Sequence, residues 1–582
     1  MKNLELARIF SEMADILEIR GDNPFKIRAY RRAALNLEGL SKGVETLSRD
    51  ELLEIPGIGE ELAAKIEEYC TTGAVHAHEK LKGEIPPGLL ELLAVPGLGP
   101  KTAKLLHEKA GVRSLEELER AAASGKLAGL PGVGEKTVEN ILRGVATVRR
   151  GQERHPLGLI LPVAAAMVEE LRKRARLGRI SLAGSIRRWR ETVKDIDIVA
   201  TSSEPGKVMD AFVRLPEVTA VVMHGPTRSS VTIRDGVNVD LRVVPEESYG
   251  AALAYLTGSK GHNIRIRDLA VRQGLKVNEY GIFREGDDTR LGGEQEEDVY
   301  RLLGLPFVAP ELREDLGEVE AALAGRLPQL VEAGDIRGDL HVHSRWSDGA
   351  HSIEEVADAA RKRGLSYLAI TDHSQGLGVA RGLTPERLRE QRREIEALNR
   401  KFSDFTILHG TEMDIRGDGS LDFPDEVLAE LDLVVASIHS GFRQPQERIT
   451  ARICAAMRHP YVDIIAHPTG RLLGERDPYP VDLEEVLRVA RETGTAIEIN
   501  AYPMRLDLTD TWARRAKELG VLLAVNTDTH AVGQFDTLAY GIAVARRGWL
   551  ERDDILNARE LPELRAWLAA KRARKPGKGK GR

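Results

Sequence analysis

From residue 336 onward, short apolar runs alternate with helical stretches seven times, and this pattern constrains the fold more than any other feature. The runs fall at 338–343, 366–372, 406–412, 432–439, 462–467, 496–500 and 521–527. Strands separated by crossover helices pair in parallel, and so many in succession predict a βα barrel. Chemistry-bearing residues cluster at the ends of these runs. They are Asp339-Leu340-His341-Val342-His343-Ser344 with Asp348 behind it, Thr371-Asp372-His373-Ser374, Gly410-Thr411-Glu412-Met413-Asp414, Ser437-Ile438-His439-Ser440, Ala466-His467-Pro468 and Asn526-Thr527-Asp528-Thr529-His530. Each group sits at or just past the C-terminal end of an expected strand, where barrel active sites are built. Six of the fifteen histidines lie in these groups. A lone strand-end histidine is more often structural, but six with three carboxylates on one rim call for metal. Imidazole and carboxylate without thiolate suit Zn²⁺, Mn²⁺ or Fe²⁺ alike.

This block resembles the polymerase-and-histidinol-phosphatase (PHP) domain over roughly 337–570. The resemblance implies nine metal ligands, and all nine positions are filled: His341, His343, Asp348, His373, Glu412, His439, His467, Asp528 and His530. It further implies a distorted barrel, three ions of Zn²⁺ or Mn²⁺, and phosphoesterase work on DNA. That work would be 3′–5′ exonuclease activity, cleaning of 3′ ends, or cleavage at abasic sites.

The first 150 residues read as all-helical, with amphipathic stretches at 3–18, 28–38, 61–70 and 114–122. An apolar-Pro-Gly-apolar-Gly element recurs three times, as Ile55-Pro56-Gly57-Ile58-Gly59, Val95-Pro96-Gly97-Leu98-Gly99 and Leu130-Pro131-Gly132-Val133-Gly134. Each copy runs into a helix. A Gly-x-Gly turn there lets backbone approach a phosphate, and the free N–H groups of the first turn point at it. One copy could simply join helices. Three copies identify helix-hairpin-helix elements that grip DNA backbone without reading sequence, through Gly57, Gly59, Gly97, Gly99, Gly132 and Gly134. Backbone donors also reconcile DNA binding with a net charge of −6, from 84 basic and 90 acidic residues.

Before and after the first copy stand Asn23-Pro24-Phe25-Lys26-Ile27-Arg28-Ala29-Tyr30 and Lys65. This region resembles the N-terminal lyase domain of DNA polymerase beta. The resemblance puts Lys65 at the Schiff-base position, and Lys26 and Tyr30 at the 5′-phosphate pocket. Glu61 departs from the pattern, standing where eukaryotic relatives carry a second lysine. An acid one helical turn from Lys65 pairs with its ammonium, so phosphate binding without lyase chemistry stands beside the lyase reading.

In the middle of the chain, Ala183-Gly184-Ser185-Ile186-Arg187-Arg188 precedes Asp195-Ile196-Asp197, and Asp240 lies within a later alternating run. Asp195 and Asp197 share a strand face. Three carboxylates that cluster need cations, and they suit two Mg²⁺ ions of an in-line nucleotidyl transfer. Eight Lys/Arg and no acid between 171 and 190 fit an anionic substrate. Tyr255-Leu256-Thr257-Gly258-Ser259-Lys260-Gly261-His262-Asn263 then looks like the nucleotide-binding segment of family X DNA polymerases. With the lyase-like region, that resemblance spans 1 to about 315. It implies triphosphate contacts at Gly184, Ser185, Arg188 and Gly258, Tyr255 near the sugar, and Asn263 on the minor-groove edge of the base. Leu256 replaces a second aromatic. Lys260 replaces an acid, and either reaches a phosphate or is solvated.

The expected architecture is multidomain. A lyase-like helical domain (1–80) and tandem helix-hairpin-helix fingers (81–150) precede an α+β nucleotidyltransferase palm (151–245) and a thumb (246–316). An acidic linker (317–336), the PHP barrel (337–570) and a disordered basic tail (571–582) complete the chain. The expected function is gap filling in DNA repair by a polymerase with an attached exonuclease, acting on gapped or nicked DNA and dNTPs. No apolar run reaches about 18 residues, and the first residues lack a signal-peptide core. With only Cys70 and Cys454, this predicts a cytoplasmic monomer with no membrane partner. A histidinol-phosphatase-like enzyme with accessory domains and a non-catalytic DNA scaffold are the rivals. The palm carboxylates end at Asp240 and the histidine cluster begins at His341, so the two centres are expected to act independently.

Overall fold

The computed structural model describes residues 2–573 except 40–43, 56–57, 87, 96–97, 128–129, 131–133, 135–137, 139–140, 143–144 and 146–153. Gly57, Gly97 and Gly132 therefore lie outside the described residues, as does the tail beyond Ala573. Two compact units make up the chain: 1–154 with 216–224 and 229–240, and 155–215 with 225–228 and 241–582.

In the first unit, helices Lys2–Arg20 and Pro24–Gly39 place apolar residues every three to four positions, which puts them on one face. Leu6, Phe10, Met13 and Leu17 meet Ile27, Tyr30, Ala33 and Leu37, and helix Glu60–Thr72 adds Leu62, Ala63 and Ile66 to the same core. Helix Pro100–Ala110 starts with proline in its first turn, where the missing N–H costs nothing. Its Ala103 and Leu106 pack with Leu89, Leu98 and Leu118 in a second core. Strands Val218–His224 and Arg228–Ile233 form an antiparallel hairpin.

The second unit opens with helix Leu157–Arg174, then strand Ile180–Leu182 antiparallel to strand Asp195–Thr201, with Ser181 opposite Val199. A thumb core gathers Ala254, Ile266, Val299, Tyr300 and Leu312. The acidic stretch 317–336, expected as helix and linker, is packed rather than loose. Its helix Glu318–Leu323 gives Val319 and Ala322 to the thumb core, and Val331 and Ile336 belong to the barrel core. Their apolar side chains fix the segment in spite of its charge.

All seven expected barrel strands form: Gly338–Val342, Tyr367–Ile370, Thr406–Asp414, Leu433–Ser437, Ile464–Ile465, Ala496–Asn500 and Leu523–Asn526. They are parallel and neighbour one another in chain order. A parallel bridge from Val342 to Thr529 nearly closes the barrel, and the His343 N–H donates to the Thr529 carbonyl at 2.8 Å. Just before the short fifth strand, the Asp463 carboxylate accepts the Val434 N–H of the fourth strand at 2.9 Å, a bond a ladder carbonyl would otherwise take. Leu340, Ala369, Leu408, Val435 and Ile464 line one core with Leu564 and Leu568 of helix Leu561–Arg572. That helix corrects the expected tail. Lys571 is buried and Arg572 donates to the Leu431 and Asp432 carbonyls, so the ordered chain continues past 570.

Candidate active sites

The seven parallel strands bring all nine expected ligands to one rim. His341 lies in the first strand and His343 just beyond it; Glu412 lies inside the third. His439 and His467 each stand two residues past the fourth and fifth strands, and Asp528 two past the seventh. His373 follows the second strand, and Asp348 and His530 sit in rim loops. Glu412 is the hub. Its Oε1 is 3.0 Å from His467 Nε2 and 3.1 Å from His439 Nε2. Its Oε2 is 2.9 Å from His373 Nδ1, 3.4 Å from His341 Nε2 and 3.5 Å from His343 Nε2. Asp528 Oδ1 lies 3.2 Å from His343 Nε2, and Asp348 lies 3.5 Å from both His373 and His530. Three overlapping groups could each hold an ion: His343, Asp348, His373 and His530; His341, His343 and Asp528; His373, Glu412 and His439.

The donor set fits metal. His341 Nε2 and both ring nitrogens of His343 are buried and make no hydrogen bond. Buried polar atoms are almost always partnered, so such nitrogens facing carboxylates mark a place for a cation. Burial raises the cost of charge on Glu412 and Asp528, yet the surrounding imidazoles hold both carboxyls far below the usual range. Both therefore stand ready as ionised ligands. Burial, with His530 and His373 adding repulsion, drives His343 down to about 3, so it is neutral. His373 is driven the other way: burial opposes its charge, but Glu412 and Asp348 push it up to about 10. A metal must displace a proton there. His467 and Asp528 have left-handed backbones, with φ of 26° and 55°, a strain that tends to collect at functional sites.

Behind the rim stand two more acids: Glu498, which the sequence reading missed, and Asp372, quoted there beside His373 without a role. Glu498, in the sixth strand, accepts from His341 Nδ1 at 2.8 Å and from the His467 N–H at 2.8 Å. Asp372 accepts from the hydroxyl of Ser344 at 2.5 Å and also pairs with Ser347 and Gln391. Asn500 Nδ2 donates to Asp528 at 3.1 Å. Such partners fix the tautomer and angle of a ligand. The signal was present: Glu498 interrupts the apolar run Ala496-Ile497-Glu498-Ile499.

In the α+β block, Asp195 and Asp197 stand at alternate positions of strand Asp195–Thr201, and Asp240 lies within strand Asn238–Val244. Gly184 opens the four-residue helix Gly184–Arg187 with φ of 63°. A Cβ there would lie 2.2 Å from Asp197 Oδ2, so only glycine lets the turn approach the carboxylate. Ser185 follows on the same turn. Arg188 is engaged by the protein itself: Nε donates to Glu314 at 3.0 Å and Nη1 to the Thr257 carbonyl. Gly258 has φ of 69° and packs against Arg188. Asn263 donates to the Tyr255 carbonyl at 2.8 Å, Lys260 is exposed, and Leu256 packs on an apolar cluster with Tyr249 and Leu253.

The helical unit holds a second glutamate-centred cluster. Glu61 Oε1 accepts from Lys65 Nζ at 2.8 Å and Tyr30 Oη at 3.4 Å, with Lys26 Nζ at 3.7 Å. The Lys65 hydrogen bond holds the Glu61 carboxyl below its ordinary value, against a weaker effect of burial. Gly59 and Gly99 precede helices Glu60–Thr72 and Pro100–Ala110, and a Cβ at Gly59, Gly99 or Gly134 would meet nothing within 4 Å among the described residues. Among those residues no crowding demands glycine at these three positions, which leaves room for an outside backbone to approach.

A parallel barrel with a histidine–carboxylate rim, joined to a nucleotidyltransferase-like block and a helical region, defines a polymerase–phosphoesterase chain. Comparison with known proteins agrees along the sequence. A helix-hairpin-helix domain model matches 1–75, a SAM-like helix-hairpin-helix tandem 89–146, the DNA polymerase beta thumb 252–314 and the PHP domain 339–502. The DNA polymerase/3′–5′ exonuclease PolX of Bacillus subtilis is 42% identical over 572 residues, covering 98% of this chain and 99% of the relative. A probable phosphatase of Thermoanaerobacter sp. (strain X514) is 33% identical over 248 residues, 40% of this chain and 95% of the relative. A probable phosphatase of Acetivibrio thermocellus is 32% identical over 210 residues, 34% of this chain and 82% of the relative. The chain belongs to the PolX family of DNA polymerase/3′–5′ exonucleases. Among the described residues, no helix is long and apolar enough to cross a membrane.

Proposed function

We propose that the chain fills short gaps in DNA during repair and degrades DNA 3′ ends, with the two activities in separate parts of the polypeptide. The relationship to PolX over nearly the whole length carries this reading. Polymerisation joins a deoxynucleotide to a primer 3′ hydroxyl and releases pyrophosphate. Asp195, Asp197 and Asp240 are the carboxylates for two Mg²⁺ ions. When bound, such ions lower the charge that builds on the attacking and leaving oxygens. Ser185, Arg188 and the backbone after Gly184 bind the triphosphate, with Lys260 free in solvent to reach it. Tyr255 borders the sugar and Asn263 the base edge. The glycine turns at Gly59, Gly99 and Gly134 hold the DNA backbone. Lys26, Tyr30 and Lys65 receive a 5′ phosphate, and the Glu61–Lys65 pair favours phosphate binding over Schiff-base chemistry at Lys65.

In the barrel, His341, His343, Asp348, His373, Glu412, His439, His467, Asp528 and His530 hold Zn²⁺ or Mn²⁺, three ions by the three ligand groups. Bound metal supplies an activated water and neutralises the phosphodiester. The protein works as a monomer in the cytoplasm on gapped or nicked DNA and dNTPs.

A labelled primer on gapped duplex reads both activities, with dNTPs supplied or withheld. Asp197→Asn should lower extension at least about 100-fold, because charge stabilisation and metal positioning fail together, while 3′–5′ degradation persists. Near-normal extension by the folded variant would overturn the aspartate assignment. Histidinol phosphate serves as the control for the small-molecule rival and should be turned over negligibly.

A further inference from the structure

We propose that Arg547, a barrel residue, is a positioning residue for nucleotide addition, so that the phosphoesterase half supports the polymerase's triphosphate site. The inference rests on Arg188 as a triphosphate contact. Arg547 ends helix Leu538–Arg547, and its side chain is only 3% exposed. Its Nη1 donates to the Arg188 carbonyl at 2.7 Å and to Glu314 Oε1 at 3.0 Å. Its Nε and Nη2 donate to Asp510 Oδ2 at 2.9 and 2.6 Å. The same oxygen of Glu314 accepts from Arg188 Nε at 3.0 Å. One carboxylate, 14% exposed, is thus shared by two guanidinium groups, one from each half of the unit. Around this centre the loop after Gly184 is bolted to the same barrel. The Trp189 ring meets Tyr540 edge-on at 5.5 Å and Arg471 pairs with Glu191 at 2.7 Å; nearby, Arg546 ties Glu311 of the thumb to the barrel at 2.7 Å.

The sharing has a consequence for nucleotide binding. Arg188 can swing to a triphosphate only by leaving Glu314. An abandoned, largely buried carboxylate is costly when no other cation stands beside it. Arg547 is that cation. Its Nη1 keeps a charged donor on Glu314 whether or not Arg188 is engaged, while Nε and Nη2 stay on Asp510, and its bond to the Arg188 carbonyl keeps the loop in register while the side chain moves. Without Arg547, Glu314 would belong to Arg188 alone and would compete with the nucleotide. The two centres expected to act independently from their separation in sequence are therefore linked in this one direction.

The experiment uses the full-length protein and measures gap filling, dNTP KM and kcat, Mn²⁺-supported degradation of single-stranded DNA, and thermal unfolding. Arg547→Met should raise dNTP KM about tenfold or more, with kcat within about threefold and degradation unchanged, the pattern of lost ground-state binding. Arg547→Lys should recover part of the loss. In a Glu314→Gln background there is no charge to neutralise, so Arg547→Met should then cost less than about threefold. Glu314→Gln alone should leave KM unchanged or lower it, which tests the idea even if Arg547→Met unfolds. Unaltered KM in folded Arg547→Met, an equal penalty in both backgrounds, parallel loss of both activities, or a raised KM in Glu314→Gln overturns the proposal. Arg188→Met separates the two levels. If it leaves KM unchanged, the triphosphate reading of Arg188 has failed; if it raises KM while Arg547→Met does not, only the role of Arg547 has failed.

Discussion

Two glutamates sit at the centres of two charged clusters, and they behave as opposites. Glu412, 1% exposed, is ringed by five imidazoles on the barrel rim. Glu61, 61% exposed, touches Lys65, Lys26 and Tyr30 on a helix surface. At Glu61 water screens the charges, and the protein's own lysines satisfy the carboxylate; such pairs contribute about 0–1 kcal/mol. At Glu412 burial removes that screening, and the partners are rings that ligate best when neutral. The cations beside that carboxylate are imidazoles such as His373, which must give up a proton before they can ligate, whereas the lysines of Glu61 keep theirs. Burial, rather than residue type, separates a metal ligand from a surface ion pair.

The largest expected effect removes only the charge at the buried centre. Glu412→Gln keeps the shape but should release metal and cut 3′–5′ degradation at least about 100-fold, since misplacing the reacting groups by about 1 Å already costs that much. Metal content measured on the purified protein should fall in parallel, and gap filling should survive. Full metal occupancy in Glu412→Gln would break the comparison, because the two glutamates would then differ only in setting.

A smaller effect is expected at the exposed centre. If Lys65 carries lyase chemistry, borohydride should trap the protein on DNA bearing a 5′-deoxyribose phosphate, and Lys65→Ala should abolish the adduct. Glu61→Gln frees the amine from its pair and should raise trapping a few-fold. No trapping by wild type or by Glu61→Gln leaves phosphate binding as the role of the cluster.

The smallest effect concerns stability. The Glu61 carboxyl lies below its unfolded value because of the Lys65 hydrogen bond, with burial opposing. Its contribution is therefore present above the ordinary glutamate range and lost as pH falls through the depressed folded value. Wild type and Glu61→Gln should differ slightly in urea midpoint at pH 7 and converge once the pH is well below the ordinary glutamate range. Added salt should shrink the gap at pH 7, as surface pairs are screened. A gap that ignores salt would show that Glu61 is coupled more deeply than its exposure implies.

Much of this was legible in sequence for local reasons. A strand's pairing is set by apolar residues that must leave water, and a helix start by glycine, proline and the turn they make. All seven barrel strands and the histidine- and carboxylate-bearing groups at their ends could be located that way, because parallel strands in chain order deliver their ends to one rim, while the choice of nine ligands among those groups came from the PHP resemblance. Relations between distant residues were not legible. That Glu498 orients His341, that Asp463 replaces a strand's ladder bond, and that the acidic stretch before the barrel is packed through Val319 and Val331 depend on neighbours supplied by the fold. Arg188 read as a nucleotide contact, and only the tertiary structure assigned its Glu314 partner and the Arg547 beside it. Sequence determined which side chains each element offers and on which face. Tertiary structure decided which charges lose their water and must then find one another, because desolvation depends on everything packed around a group and no short segment encodes it.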